Sequence, residues 1–111
     1  MSFVRELDET YTVIEKETIV LECEVNKEQV NCVWKRYGKV IEEDDRIKIE
    51  SFGKIHRLTI NDVNLQDKQT ISCSAIKGRK IDDEIASTSA KIIIKGLKFN
   101  HIIMINLLLI K

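Results

Sequence analysis

Proline is absent from the 111 residues, glycine occurs only at 38, 53, 78 and 96, and aromatic residues make up 5% of the chain. This excludes collagen-like and proline-rich low-complexity classes. No apolar run approaches the ~20 residues of a membrane-spanning helix. Neither sign of charge is in excess, with Lys plus Arg at 18 and Asp plus Glu at 18. A neutral chain without a basic stripe gives no electrostatic case for nucleic acid. No Gly-rich phosphate loop or nucleophile elbow occurs. The N-terminus carries no apolar segment like that of a secretory signal. None of the asparagines lies in an N-x-Ser/Thr site.

Cysteine is scarce and odd in number: Cys23, Cys32 and Cys73. An odd count leaves at least one thiol unpaired in a monomer, which favours a reducing compartment. Their gaps of nine and forty-one residues, with His56 and His101 as the two histidines, match no zinc spacing. His56 falls on an inward strand position and reads as a core or rim residue. No metal ligand set, cofactor, small-molecule substrate or catalytic constellation is expected, and the chain does not read as an enzyme.

What is present is alternation of period two. Ile19, Leu21, Cys23 and Val25 share one face, with Glu22 and Glu24 on the other. Val30, Cys32 and Trp34 form the next set, followed by Ile47 and Ile49. His56, Leu58 and Ile60 come next, then Ile71, Cys73 and Ala75, and then Thr88, Ala90, Ile92 and Ile94. Polar segments at 26–29, 37–39, 51–54, 61–68 and 77–84 read as turns or loops. The charge runs 15–17 and 42–45 read as solvated turns. No segment holds a helical period over three turns. The pattern predicts seven to nine strands, near 3–7, 11–15, 18–26, 30–36, 39–41, 46–51, 55–61, 69–77 and 85–95. Short strands so spaced predict an all-β sandwich or barrel.

The order Cys23…Trp34…Cys73 is the sequence sign of an immunoglobulin domain, and further motifs narrow it. Glu15–Val25 is similar to a second strand with its lead-in. Val33-Trp34-Lys35-Arg36-Tyr37-Gly38-Lys39 is similar to a Trp-x-Lys-x-Gly-Lys pattern shifted by one residue at the glycine. Gly53-Lys54-Ile55-His56-Arg57-Leu58-Thr59-Ile60 fits Gly-x-x-x-x-Leu-x-Ile, and Val63 with Leu65-Gln66-Asp67 fits the turn that follows. Residues 3–95 thus resemble the intermediate-set (I-set) immunoglobulin domains of titin, twitchin, obscurin and myosin-binding protein C. The resemblance implies an immunoglobulin-like Greek-key β-sandwich over 1–96, with an apolar tail over 97–111 outside it. That tail, too short to span a bilayer, is not expected to contact a membrane.

The family reads Asp-x-Gly-x-Tyr-x-Cys where this chain has Asp67-Lys68-Gln69-Thr70-Ile71-Ser72-Cys73. With Ile71 in place of tyrosine, the tyrosine corner cannot form. The resemblance implies that Trp34 marks the core and that Arg46 and Asp67 form an ion pair closing the fold. It also implies that Cys23 and Cys73 face each other as a candidate disulfide or as two thiols. Cys32 reads as a small buried residue, or as a competitor for either of the other sulfurs. The implied function is a structural, protein-binding module of a cytoplasmic, sarcomeric multidomain protein. Its expected partners are cytoskeletal filaments or neighbouring immunoglobulin domains, met through the edge strand at 39–41 or the hairpin 77–84. The alternative is an extracellular adhesion or receptor domain carrying a Cys23–Cys73 bridge.

Overall fold

The computed structural model describes residues 1–96; the tail expected over 97–111 lies outside them. Among the described residues, nine strands form two sheets. The strands are β1 (Phe3–Arg5), β2 (Thr10–Ile14), β3 (Ile19–Val25), β4 (Asn31–Arg36), β5 (Lys39–Val40), β6 (Ile47–Phe52), β7 (Ile55–Ile60), β8 (Thr70–Ile76) and β9 (Glu84–Lys95). One sheet runs β1-β3-β7-β6 and the other β2-β9-β8-β4-β5. Every pairing is antiparallel except β2 with β9, which is parallel.

The alternation becomes burial. In β3, Ile19, Leu21, Cys23 and Val25 are buried and Val20 is exposed. Leu58 and Ile60 of β7 meet Ile71 and Cys73 of β8 and Ala90 and Ile92 of β9 in one core between the sheets. This is the face-to-face packing of two sheets whose inner side chains interdigitate. Ile71 is fully buried; the apolar side chain fills the interior where the family places a phenol ring.

The N-terminal strand differs from the expectation. The reading of 3–7 and 11–15 as two strands holds, but β1 is only three residues long and the two join different sheets. Leu7 lies between them, buried, with its N–H donating to Thr88 Oγ1 at 3.1 Å. The loop expected over 61–68 contains a single helical turn, Leu65–Asp67. Asn64 caps it: its side chain accepts from the Gln66 N–H, and the Asp67 carboxylate accepts from the Asn64 N–H at 2.9 Å. This reciprocal arrangement is a capping box.

The shifted glycine also finds its reason here. Arg36 pairs with Lys39, so the β4–β5 turn has two residues, Tyr37 (φ 51°) and Gly38 (φ 80°). Two positive φ values in a two-residue hairpin match the right-handed twist of the strands. Tyr37 takes the first of these positions at a conformational cost and leaves the second to glycine.

Candidate functional site: the inter-sheet core, its ion-pair latch and the terminal-strand ladder

Trp34 sits on β4, 2% exposed, directly opposite Cys73 of β8. Cys23 lies on β3 of the other sheet, and both it and Cys73 are fully buried and stand as free thiols. Both side chains point inward from facing sheets into one core. Cys32, two residues before Trp34 on the same face, is half-buried and packs on the edge of the core.

The Cys73 thiol is pushed far up, first by Cys23, then by Cys32, then by burial. Cys32 moves the other way, to about 5, held down chiefly by Cys73 and, against the cost of burial, by His56. His56 pairs with Cys23 across β3 and β7 and is buried at 3% exposure. Its Nδ1 meets Ser51 Oγ at 3.0 Å, while Nε2 has no hydrogen-bond partner.

Arg46 and Asp67 come together at the bottom of the sandwich. The guanidinium donates from Nη1 to Asp67 Oδ2 at 2.9 Å and from Nη2 to Oδ1 at 3.2 Å. Nη1 also donates to the carbonyls of Asn61 and Asp62 at 3.3 and 3.2 Å. One arginine at the entry to β6 thus ties the 61–67 connection to the sheet, in the forked geometry that suits guanidinium to carboxylate. Burial pushes the Asp67 carboxyl up, but Arg46 and the Asn64 N–H outweigh it and hold it below the usual carboxylate range.

A third network escaped the sequence reading. On the outer face of the four-stranded sheet, Glu22 accepts from Arg5 Nη2 at 2.8 Å and from Arg57 Nε at 2.7 Å. Arg57 in turn lies 4.8 Å above the Phe52 ring. Glu22 faces Arg57 directly across β3 and β7. The signal available was opposite charge on two outward faces, but only the register says which residues meet.

The fourth feature is the parallel ladder. Thr10–Ile14 runs beside Lys91–Lys95. It is closed at one end by Lys91 N–H to the Glu9 carbonyl at 2.9 Å and at the other by Glu15 N–H to the Lys95 carbonyl at 2.7 Å. At the far edge of the same sheet, β5 pairs only with β4. Beside it lies an open groove of ≈ 500 Å³ lined by Arg36, Tyr37, Val40, Ile41, Asp44 and Ile47. Among the described residues, no group of His, Cys, Asp or Glu is placed to hold a metal ion, and no helix is long and apolar enough to cross a membrane.

Comparison with known proteins agrees with this architecture. Residues 1–89 match the immunoglobulin I-set domain family. Cardiac-type myosin-binding protein C of Gallus gallus is 43% identical over 61 residues, which are 55% of this chain and 5% of that protein. Titin of Drosophila melanogaster is 32% identical over 77 residues, 69% of this chain and, after rounding, 0% of that protein. The chain therefore spans a small fraction of the length of these relatives. Among solved structures, the IG27 protein domain superposes with a TM-score of 0.74 at 22% identity, covering 86% of this chain and 98% of that one. At that identity the likeness speaks for the fold.

Proposed function

The chain belongs to the immunoglobulin I-set family, and on that premise we propose that residues 1–96 act as a non-catalytic, load-bearing and protein-binding module of a cytoplasmic, sarcomeric multidomain protein. The observation that carries the reading is the parallel β2–β9 ladder. β2 follows the short β1, which pairs with β3 in the other sheet, and β2 and the last strand, β9, point the same way. Tension applied through the two ends therefore pulls these strands past each other. The ladder hydrogen bonds are loaded in shear, together, instead of being unzipped one at a time. The similarity to myosin-binding protein C and titin supports the muscle setting.

Mechanical unfolding of tandem copies tests this. Between Glu9 and Glu15 the bonding residues alternate, so Tyr11 and Val13 carry the intervening bonds to β9. Val13→Pro removes a donor from the ladder. The expected result is a clear drop in rupture force for Val13→Pro. An equal Pro substitution at Val40, on the opposite edge of that sheet, is expected to leave the force unchanged. Equal forces for wild type and Val13→Pro would refute a shear clamp at β2–β9.

Protein partners are proposed to meet the open β5 edge, where Tyr37 is 72% and Val40 44% exposed. An edge strand offers unpaired backbone groups to an incoming strand. On titration with a flanking domain or with myosin filaments, the amide resonances of Lys39 and Val40 are expected to shift. If the shifting signals fall only on the β1-β3-β7-β6 face, the edge is not the contact.

A further inference from the structure

The β5 edge carries its charges in two blocks. Lys35, Arg36 and Lys39 bracket the β4–β5 turn, and Glu42, Glu43, Asp44 and Asp45 follow β5. Among the described residues, none of the three cations forms a salt bridge. Arg36 Nε is buried without a hydrogen-bond partner, which is costly for a donor. In the acidic block, Asp44 accepts from the Arg46 and Ile47 N–H groups and Glu43 from the Ile49 N–H. Glu42 and Asp45 are exposed. Between the blocks the backbone is open. The Ile41 N–H donates to the Trp34 carbonyl at 2.8 Å. Val40, one residue earlier and opposite Lys35, therefore turns its own N–H and C=O away from β4. At the turn Tyr37 is 72% exposed and holds positive φ, a strained position that no burial offsets.

We propose that this edge pairs with the same edge of a second copy of the chain, antiparallel about a two-fold axis near Val40. The pairing builds on the reading of β5 as the contact edge and names its occupant. Charge order selects the direction. An antiparallel copy brings its acidic flank beside the basic turn and receives the same in return, as a two-fold contact requires. A parallel copy would set cation on cation and carboxylate on carboxylate, which repulsion disfavours. A lone lysine on an edge strand ordinarily guards it against pairing. Here Lys39 meets the acidic flank that begins at Glu42 of the second copy, so the guard becomes an attachment. The outward N–H and C=O of Val40 bond across the axis, and the five-stranded sheet continues from one copy into the other. β5 has only two residues, so the contact is small, transient and sensitive to salt.

Sedimentation equilibrium of the full chain, up to about 1 mM, reads the association in the range that suits so small an interface. A monomer–dimer equilibrium is expected, about tenfold weaker at roughly 500 mM NaCl than at roughly 50 mM. Lys39→Glu makes both ends of the edge acidic, and Glu42→Lys makes both basic. Both side chains are exposed, so the fold should tolerate either change. Each variant alone is expected to self-associate at least about tenfold more weakly than wild type. Mixed one to one, they are expected to bind each other about as well as wild type binds itself, since opposite charges then meet at every contact. Val40→Pro removes the N–H that faces the open edge and is expected to abolish association. Three results would each overturn the pairing. One is a chain that stays monomeric at about 1 mM. The second is variants that associate like wild type, as they would if the largely apolar residues 102–110 held the copies together. The third is a mixture that associates no more tightly than its separate components. In every case the titration of Lys39 and Val40 with a flanking domain or myosin filaments decides independently whether β5 meets other proteins.

Discussion

Trp34→Ala is expected to cost about 3–5 kcal/mol of folding stability, the range for deleting a large buried aromatic side chain. The indole is 2% exposed, and it stands on β4 directly opposite the buried Cys73. Its neighbours are held by ladders on both sides, β4 with β8 and β8 with β9. The sheets cannot move together to fill the space without breaking register. A domain of this size has about 5–15 kcal/mol in all, so the variant would be marginal at 37 °C. The expected fall in Tm is about 12–40 °C, from the ~4–8 °C that each kcal/mol moves a domain near 100 residues. Urea unfolding followed by far-ultraviolet circular dichroism measures both, since the variant lacks the chain's only tryptophan. Trp34→Phe keeps a ring in place and should recover much of the loss. A loss below about 1 kcal/mol for the alanine variant would mean that the sheets are held by their rims and that Trp34 is not the central filler.

How much of this was legible beforehand follows from what period-two patterns encode. Alternation tells which side chains of a strand go inward, so the buried sets of β3, β7, β8 and β9 could be read directly. It does not tell which strand is the neighbour. The division of the first residues between two sheets, with β1 antiparallel to β3 and β2 parallel to β9, depends on partners some twenty and eighty residues away. For the same reason the Arg5–Glu22–Arg57–Phe52 network could not be assembled, although each residue's outward facing could. His56 was legible as inward but not as the residue opposite Cys23, because only the register of β3 with β7 brings the two together.

Local backbone demands were partly hidden by their being met with the wrong residue. Lys16, Gln29, Tyr37 and Asp62 all hold positive φ without being glycine. Each sits in a turn whose geometry is imposed by the strands around it. The 15–17 turn is a case in point: Lys16 N–H donates to the Val63 carbonyl at 2.7 Å and Val63 N–H to the Glu17 carbonyl at 3.0 Å. A charge run that read only as a solvated turn is thereby stitched to the loop that carries Asp67. Gln69 shows the converse. Its backbone carbonyl accepts from the Ile92 N–H at 2.8 Å, but its side chain is buried with Nε2 unpartnered, and nothing in the structure accounts for an amide there.

The Arg46–Asp67 pair should dominate the acid sensitivity of the domain, and Arg46→Met should change its sign. In the wild type the Asp67 carboxyl lies below its unfolded value, because Arg46 and the Asn64 N–H overcome the effect of burial. Such a group contributes stability that is fully present above the unfolded pKa of about 3.9 and is lost as pH falls through the lower folded value. Removing Arg46 leaves a carboxylate 2% exposed with one N–H donor. Breaking a buried pair in this way costs about 3–5 kcal/mol. Arg46 is itself 31% exposed, so entering water softens the loss to about 2–4 kcal/mol. Burial then controls the carboxyl, whose folded pKa rises above the unfolded one. That contribution is favourable at low pH and is lost as pH climbs through the raised value. The deficit of Arg46→Met relative to wild type should therefore be largest at pH 7 and shrink by more than half at about pH 3.5, as read from urea midpoints at the two pH values. Asp67→Asn retains an acceptor for the Asn64 N–H and leaves Arg46 access to solvent, so its cost should be smaller, and it should fade as pH falls below about 4, where wild-type Asp67 loses its own contribution. The double variant should regain part of the loss, since neither charge is then stranded. A deficit for Arg46→Met that is the same at both pH values would show that the arginine acts through its bonds to the Asn61 and Asp62 carbonyls and its packing, and not through the charge of Asp67.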